Sequence, residues 1–181
     1  MKRSITFITA GFILAGAIAG AVPLGAAAAE RTTADYAKEI ALSDAGLSED
    51  EVEFEDIEKG MEQGSSVYEI EFWSEDKEYD YDIALADGEI VSVSWEIIDP
   101  SPSGKQINQA RAKSIALEYA GGDGKDAAFT KSGSGTEKGF PVFELKFEDS
   151  SAMYKYDIAK DGGEILSYSK TIKNPASVGR R

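Results

Sequence analysis

The stretch YDYDIALADGEIVSV, residues 79–93, returns 75 residues later as YKYDIAKDGGEILSY, residues 154–168. Its alternation of tyrosine and isoleucine with charged residues is typical of a strand that buries one face. The glycines that follow fit a tight hairpin turn, because glycine adopts a positive φ without steric cost. The stretch therefore predicts two antiparallel strands, and its recurrence predicts that the chain uses one small unit twice.

The repeat extends well beyond this hairpin. Roughly two positions in five between 37 and 94 are identical to the residue 75 positions later, without a gap. Thr33 and Asn108 occupy N-cap positions before helical patterns, and Gly46 and Gly121 follow where a left-handed residue can end a helix. Each unit thus begins with a short helix and continues with strands.

We predict an α+β fold of two tandem modules, each with one N-terminal helix packed on a three- or four-stranded antiparallel sheet. The strand number stays open, because the earliest strand signal, at Val52 and Phe54, is only partly matched at Ala127 and Phe129. The stretch 121–139, rich in Gly, Lys and Ser, is predicted as a loop.

Composition also predicts the domain boundaries. Pro, Ser and Gly dominate the stretch after Asp99, which cannot continue a central strand. The predicted organisation is a signal peptide at 1–29, a first module at 30–98, a linker at 99–105, a second module at 106–174 and a disordered tail at 175–181.

The N-terminus carries the pattern of an export signal. Lys2 and Arg3 precede a mostly apolar run, and alanines at 26–29 supply the small residues that signal peptidase requires. We therefore predict cleavage between Ala29 and Glu30, giving a secreted, extracytoplasmic protein without membrane attachment. The alternative is an uncleaved membrane anchor, because the apolar run is long enough to span a bilayer.

Charge is distributed very unevenly along the chain. Residues 30–99 hold 23 acidic and 4 basic residues, a net charge of −19, whereas residues 100–181 hold 10 and 13, a net charge of +3. Removal of residues 1–29, with their two positive charges, would move the formal net charge from −14 to −16. Such an acidic surface repels phosphates, so nucleic acid is not expected as a partner. It favours either plain solvation or attraction of cations and basic protein surfaces.

The residue inventory argues against catalysis. The chain has no His and no Cys, so Ser-His-Asp triads, Cys-His pairs and H-E-x-x-H zinc motifs are impossible. The absence of Cys also excludes disulfides and thiolate metal sites. Asp80 and Asp82 could be imagined as paired catalytic carboxylates, but their pattern fits the solvent face of a half-exposed sheet. No enzyme activity and no catalytic residue are predicted.

A family resemblance rests on three pieces of sequence. The helix pattern A-K-x-I-A-L-x-x-A-G, the strand VYEIEF and the hairpin quoted above together resemble the PepSY domain, with copies at 37–97 and 112–172. These motifs consist of core and turn residues, which identify a fold better than an activity. PepSY domains occur in propeptides of thermolysin-type metalloproteases and in stand-alone exported or membrane-tethered proteins. The resemblance implies a non-catalytic module that binds and restrains a peptidase, which must here be another polypeptide.

Exposed features of the first unit are the predicted contact surface. Its acidic run offers oxygen ligands for calcium, but the spacing does not match the twelve-residue calcium loop, so no metal or cofactor site is predicted and calcium is kept as the cation to test. Trp73 falls out of phase with the apolar positions of its strand, which indicates either an exposed contact or packing between sheets or between modules. The predicted contact residues are Trp73, Trp95, Glu49, Asp50, Glu51, Glu53, Glu55 and Asp56.

Two functional hypotheses follow from these observations. The first is an exported binding module that docks on a peptidase or another secreted or envelope protein, through a sheet edge, a hairpin or the loops. The second is an acidic cation-binding or cell-envelope-associated accessory protein. A rigid spacer is a third reading, and the oligomeric state stays open.

Overall fold

The computed structural model describes residues 32–121 and 126–173, which contain two α-helices and eight strands. The predicted signal peptide at 1–29 and the predicted tail at 175–181 lie outside the described residues. The first half has helix α1 (Ala34–Ala45), a 3₁₀ turn (Glu49–Glu51) and strands β1 (Glu53–Glu62), β2 (Ser65–Trp73), β3 (Lys77–Ala84) and β4 (Ile90–Ile97). The second half has helix α2 (Gln109–Tyr119) and strands β5 (Ala128–Glu137), β6 (Phe140–Glu148), β7 (Ala152–Ala159) and β8 (Ile165–Ile172).

Both helices begin at the predicted capping residues. Thr33 Oγ1 accepts a hydrogen bond from the Tyr36 backbone N–H at 3.2 Å, and Asn108 Oδ1 accepts one from the Arg111 N–H at 2.9 Å. Each bond satisfies a backbone donor that the first helical turn leaves without a partner. Helix α1 ends at Gly46, whose φ of 71° is left-handed, as predicted.

The eight strands form one antiparallel sheet in the order β1-β2-β3-β4-β8-β7-β6-β5. The predicted α+β class is confirmed, but the strands do not form two separate sheets. The last strands of the two halves, β4 and β8, pair with each other from Ser92–Thr171 to Glu96–Ser167. This pairing satisfies the backbone groups that would otherwise line an exposed sheet edge in each half. The result is one continuous sheet, with the four strands of the first half on one side of the β4–β8 junction and the four strands of the second half on the other.

The register places a local two-fold axis at the centre of the sheet. Ser94 pairs directly with Ser169, the residue 75 positions further along the chain. On either side, Val93 pairs with Lys170 and Trp95 pairs with Tyr168, and these two pairs exchange under the same 75-residue offset. Each strand of the second half also begins 75 residues after its counterpart in the first. Positions that the repeat relates are therefore also related in space.

The Gly- and Ser-rich stretch predicted as a loop contains strand β5, so that prediction was wrong. β5 pairs with β6 over its whole length, from Ala128–Glu148 to Glu137–Phe140. Its counterpart β1 pairs with β2 in the same way, with a bulge at the equivalent position. Pairing with a neighbouring strand thus outweighs the low strand propensity of Gly and Ser. Each half has four strands.

Both helices lie on one face of the sheet. Ala37 and Ala41 of α1, like Ala112 and Ala116 of α2, are completely buried, because a methyl side chain lets the helix approach the strands closely. Under each helix a phenylalanine stacks between two tyrosines: Phe72 with Tyr79 and Tyr81, and Phe147 with Tyr154 and Tyr156. The other face of the sheet, here called the open face, carries no helix of the described chain.

The stretch predicted as a linker, 99–105, contains neither helix nor strand. The Gly162 N–H donates a hydrogen bond to the carbonyl oxygen of Lys105 at 3.2 Å, which ties this segment to the second half. No helix within the described ranges, 32–121 and 126–173, has the length and apolar character needed to cross a bilayer.

Candidate functional site

The predicted acidic contact residues are all exposed, but they belong to different local structures. Glu49, Asp50 and Glu51 form the 3₁₀ turn, and Glu53, Glu55 and Asp56 open strand β1. Glu51 has a structural role, because its Oε2 accepts hydrogen bonds from the N–H and hydroxyl of Ser48 at 2.9 and 2.6 Å. Both bonds lower the pKa of the Glu51 carboxyl, and the bond from the Ser48 hydroxyl has the larger effect.

The carboxylates of the acidic run are not gathered into one cluster among the described residues. No group of three or more acidic side chains among residues 32–121 and 126–173 is arranged to hold a metal ion. Asp56 Oδ1 accepts the backbone N–H of Ile57 at 2.8 Å, a local bond at the bulge of β1. A strand directs neighbouring side chains to opposite faces, which separates carboxylates that are close in sequence.

The two tryptophans lie on opposite faces of the sheet. Trp73 is half-buried on the open face, in register between Glu53 and Glu78. Trp95 lies on the helix-covered face and is only 9% exposed, so the expectation of an exposed side chain was wrong. It packs against Tyr168 across the junction of the two halves and donates a hydrogen bond from Nε1 to Tyr119 Oη at 3.2 Å.

One row of side chains crosses all eight strands of the open face, and we call it the charge row. In cross-strand register it reads Asp56, Glu71, Asp80, Ser94, Ser169, Lys155, Lys146 and Lys131. Three carboxylates lie side by side in the first half and three ammonium groups lie side by side in the second, all six residues exposed. Like charges directly opposite each other on neighbouring strands destabilise a sheet. Local stability therefore does not explain the charge row.

Sequence reasoning missed the charge row, although its signal was present. The 75-residue offset relates Asp56 to Lys131, Glu71 to Lys146 and Asp80 to Lys155, so three acidic positions are all reversed to lysine. The comparison of repeats concentrated on identical residues and passed over the reversals. The strand register was also needed, because it places the three positions of each half next to one another.

Further carboxylates surround the acidic end of the charge row. A neighbouring row joins Glu58, Glu69 and Asp82 in register. We call the whole set the acidic face: Asp56, Glu58, Glu62, Glu69, Glu71, Glu78, Asp80 and Asp82. Within the part of the chain that the structure describes, none of these carboxylates forms an ion pair with Lys or Arg.

Burial and mutual repulsion both raise pKa values on the acidic face. Partial burial, then the charges of Asp80, Glu62 and Glu69, raise the pKa of Asp82 to about 7. The pKa of Asp80 is raised by partial desolvation of its carboxylate and by the charges of Glu69, Glu62 and Glu78. The pKa of Glu71 is raised by partial desolvation and by the charge of Asp80. A cationic group placed here would relieve this repulsion.

The second half of the open face is closer to charge balance. Lys131 forms an ion pair with Glu144, and Asp157, the counterpart of Asp82, accepts a hydrogen bond from Ser167 Oγ at 2.8 Å. Burial still raises the pKa of Asp157, but the hydrogen bond and the nearby Lys131 oppose that rise. The open face therefore has a strongly acidic half and a nearly neutral half with a lysine row.

A cleft opens on the other face, between the C-terminal ends of α1 and α2. It has a volume of about 230 Å³, and its lining includes Asp44, Lys77, Trp95, Tyr119, Tyr168 and Lys170. We call it the interhelix cleft. Tyr81, on its floor, donates a hydrogen bond from its hydroxyl to Asp44 Oδ2 at 3.0 Å, and Lys77 Nζ lies 4.4 Å from the centre of the Trp95 ring.

The two repeats also differ in this cleft. The 75-residue offset relates Asp44 to Tyr119, Val93 to Tyr168 and Trp95 to Lys170. One consequence is that the Tyr156 hydroxyl, counterpart of the one that bonds Asp44, is buried without a hydrogen-bond partner among the described residues. The interhelix cleft is thus chemically asymmetric although its framework has two-fold symmetry.

Comparisons with known proteins address the first half most directly. The family model described as "Peptidase propeptide and YPEB domain", abbreviated PepSY, matches residues 32–94. A protein of Streptococcus pyogenes serotype M6, Spy1430, is 43% identical over 65 residues, which are 36% of this chain and 50% of that protein. The chain thus spans about half the length of this curated relative.

A solved structure is also similar to this chain. It is the C-terminal domain of Bacillus megaterium YpeB, with 16% sequence identity and a TM-score of 0.47. The similarity covers 77% of this chain and 63% of that structure.

Proposed function

We propose, from the match of residues 32–94 to the PepSY family model, that this chain is an exported, non-catalytic binding module that restrains or modulates a secreted peptidase. The family description, which joins the domain to peptidase propeptides, supports the class of partner. The export pattern of residues 1–29 supports a meeting outside the cytoplasm. The 181 residues contain no His and no Cys, so they hold no peptidase site that depends on either residue.

We also propose that the second half is a second module of the same kind. Its helix and four strands follow the order of the first half at the same spacing, and its Phe147 stack repeats the Phe72 stack. Fusion of the two sheets through β4 and β8 would make the pair a single binding platform. A platform of eight strands offers about twice the open face of one module.

The observation that carries the binding role is the acidic face on an uncovered sheet surface. A protein surface that is rich in Lys and Arg fits it by charge, and the partner we infer is a basic surface of the peptidase. The lysine end of the charge row would repel the same basic surface. The row therefore sets the orientation in which a partner can dock.

Capture of secreted proteins tests the proposal. Purified residues 30–181 are immobilised, secreted proteins of the source organism are passed over them, and retained proteins are identified by mass spectrometry and assayed for peptidase activity. We expect a retained peptidase whose activity falls in proportion to the added protein. Retention of a peptidase without inhibition would overturn the restraining role and leave a tether or chaperone.

A charge reversal with a matched control locates the binding surface. Glu71→Lys places a lysine in the middle of the acidic end of the charge row, as the chain itself does at position 146. We expect it to weaken capture by about tenfold or more. Glu89→Lys makes the same charge change in the exposed turn after β3 and should leave capture unchanged. Equal effects of the two variants would mean that net charge alone drives the attraction.

Capture combined with thermal melting in calcium tests the alternative of an acidic cation-binding or envelope-associated accessory protein. In that case no peptidase is retained, and millimolar calcium raises the melting temperature in a way that chelation reverses. Glu71→Lys would then reduce the calcium effect more than Glu89→Lys does, because only Glu71 belongs to the acidic face.

A further inference from the structure

The side chain of Lys170 occupies an unusual place at the centre of the molecule. It projects from β8 on the helix-covered face, in register between Val93 and Tyr154, and lines the interhelix cleft. Its counterpart in the first half is the buried Trp95, so the position is otherwise part of the core. Lys170 is itself half-buried.

No described residue neutralises this ammonium group. Within residues 32–121 and 126–173, Lys170 forms no ion pair, hydrogen bond or cation–π contact. A cation that has lost part of its hydration is costly unless an anion or strong acceptor replaces the water. Asp44 lines the same cleft, but its carboxylate accepts the Tyr81 hydroxyl and lies beyond 4.0 Å from the ammonium group of every described lysine. The geometry leaves room for an external anion at Lys170.

Aromatic rings form the rest of the wall near Lys170. The ring centres of Trp95 and Tyr119 lie 5.9 and 5.1 Å from that of Tyr168. Tyr119 remains 49% exposed, so the aromatic wall opens to solvent. Rings in this arrangement favour contact with an aromatic or long apolar group.

The size and charge of the interhelix cleft restrict its ligand. Its volume of about 230 Å³ is below the 300–1,000 Å³ typical of pockets for drug-sized molecules, and it suits one large side chain with a small polar group. A cationic ligand would meet both Lys77 and Lys170, whereas a purely apolar ligand would leave Lys170 unpaired. A ligand with several negative charges would be repelled by Asp44.

We propose that the interhelix cleft binds the carboxyl-terminal end of a peptide whose last side chain is aromatic or long and apolar. The α-carboxylate accepts hydrogen bonds from Lys170 Nζ, and the last side chain packs on the rings of Trp95, Tyr119 and Tyr168. A carboxylate of an internal Asp or Glu shares this chemistry but lacks an apolar group on the same residue. The inference does not depend on the partner being a peptidase.

Fluorescence of Trp95 reports directly on the interhelix cleft. The chain has two tryptophans, so Trp73→Phe leaves Trp95 as the single reporter in residues 30–181. The probes are acetyl-Ala-Ala-Phe with a free carboxylate, the same peptide with a terminal amide, and acetyl-Ala-Glu-Ala amide. We expect a saturable change in emission with the free acid and binding of the amide weaker by at least about tenfold.

Substitutions connect this preference to Lys170. Lys170→Met, which keeps an unbranched apolar stem, should remove the preference for the free acid, and Lys170→Arg should retain it. Lys155→Met makes the same charge change on the exposed open face and should bind like the parent. Thermal melting of each variant establishes that the fold is intact.

Several outcomes would overturn the proposal. These are no saturable response to the free acid, equal binding of acid and amide, or an equal loss in Lys155→Met. Binding of the internal glutamate peptide as tightly as the free acid would exclude recognition of a chain end. The result is separable from the proposed function, because Lys170→Met should not change peptidase capture and Glu71→Lys should not change the peptide titration.

Discussion

The two halves of this molecule share a framework and differ in the chemistry displayed on it. Under each helix a phenylalanine stacks on two tyrosines at equivalent positions. On the open face the same strand positions carry Asp56, Glu71 and Asp80 in one half and three lysines in the other. Buried positions are constrained by packing against several neighbours, whereas exposed strand positions accept either charge. The comparison separates residues that maintain the fold from residues available for binding.

The junction between the halves differs from both the matching core and the charge-reversed open face. Trp95 and Lys170 are counterparts on the helix-covered face, yet one is an indole in the core and the other is an ammonium without a partner among the described residues. Tyr81 and Tyr156 keep the same ring position, but among the described residues the Tyr81 hydroxyl has an acceptor, Asp44, and the Tyr156 hydroxyl has none. Divergence at buried positions therefore concentrates where the repeats meet.

The largest expected effect comes from truncation of the core in either half. Phe72 is completely buried and Phe147 is 3% exposed, so Phe72→Ala and Phe147→Ala should each lower the free energy of unfolding by about 3–5 kcal/mol. Because β4 and β8 join the halves into one sheet, we expect a single cooperative transition in both variants. Chemical denaturation followed by circular dichroism measures both quantities.

Met153→Ala serves as the control for these truncations. Met153 is 42% exposed on β7, and its loss should change the free energy of unfolding by less than about 0.5 kcal/mol. Two transitions in Phe72→Ala, with only one shifted from the parent protein, would show that the halves fold independently. The shared sheet would then be a docking contact between separate cooperative units.

Local parts of the fold were predictable from the sequence. Thr33 and Asn108 cap their helices, Gly46 ends α1, and the hairpin turn after β3 contains Gly88 at a φ of 79°. These features depend on interactions between residues close in the chain, such as the 3.2 Å bond from the Tyr36 N–H to Thr33. Alternation of apolar and charged residues in the repeated hairpin also predicted β3 and β7.

The misses all depend on pairing or packing between strands. Pairing of β4 with β8 joins residues such as Ser94 and Ser169, which no local pattern connects. β5 is a strand because β6 pairs with it, not because Gly133 and Gly135 favour extended structure. Trp95 is buried because β8 supplies Tyr168 beside it. The charge row likewise requires the register of seven strand pairs.

A smaller effect concerns the pH dependence of stability. In the folded protein the pKa of Asp82 is about 7, above its value of about 3.9 in an unfolded chain. The folded state therefore binds a proton more tightly between these values, so stability should rise as the pH falls from 8 to 5 and decrease as the pH rises through 7. At pH 8, Asp82→Asn should be more stable than the parent by roughly 1–2 kcal/mol after allowance for solvent screening.

The second half provides the matched variant for this experiment. Asp157 accepts a hydrogen bond from Ser167 and lies near lysines, so Asp157→Asn should change the pH dependence less than Asp82→Asn does. Glu71 and Asp80 have pKa values raised in the same direction as Asp82, so Asp82→Asn should reduce the slope of stability against pH without abolishing it. Equal slopes in the two variants would contradict the electrostatic difference between the halves.

The smallest effect compares two tyrosine hydroxyls at equivalent positions. Tyr81→Phe removes the hydrogen bond to Asp44 and should lower the free energy of unfolding by about 0.5–1.5 kcal/mol. Tyr156→Phe removes a buried hydroxyl that has no partner among the described residues, so it should be neutral or stabilise the fold by up to about 1 kcal/mol. Both rings keep their stacking on phenylalanine, so denaturation curves of the two variants isolate the hydroxyl groups. A loss in Tyr156→Phe equal to that in Tyr81→Phe would show that the Tyr156 hydroxyl is hydrogen-bonded in solution, and the asymmetry of the interhelix cleft would then rest on Lys170 alone.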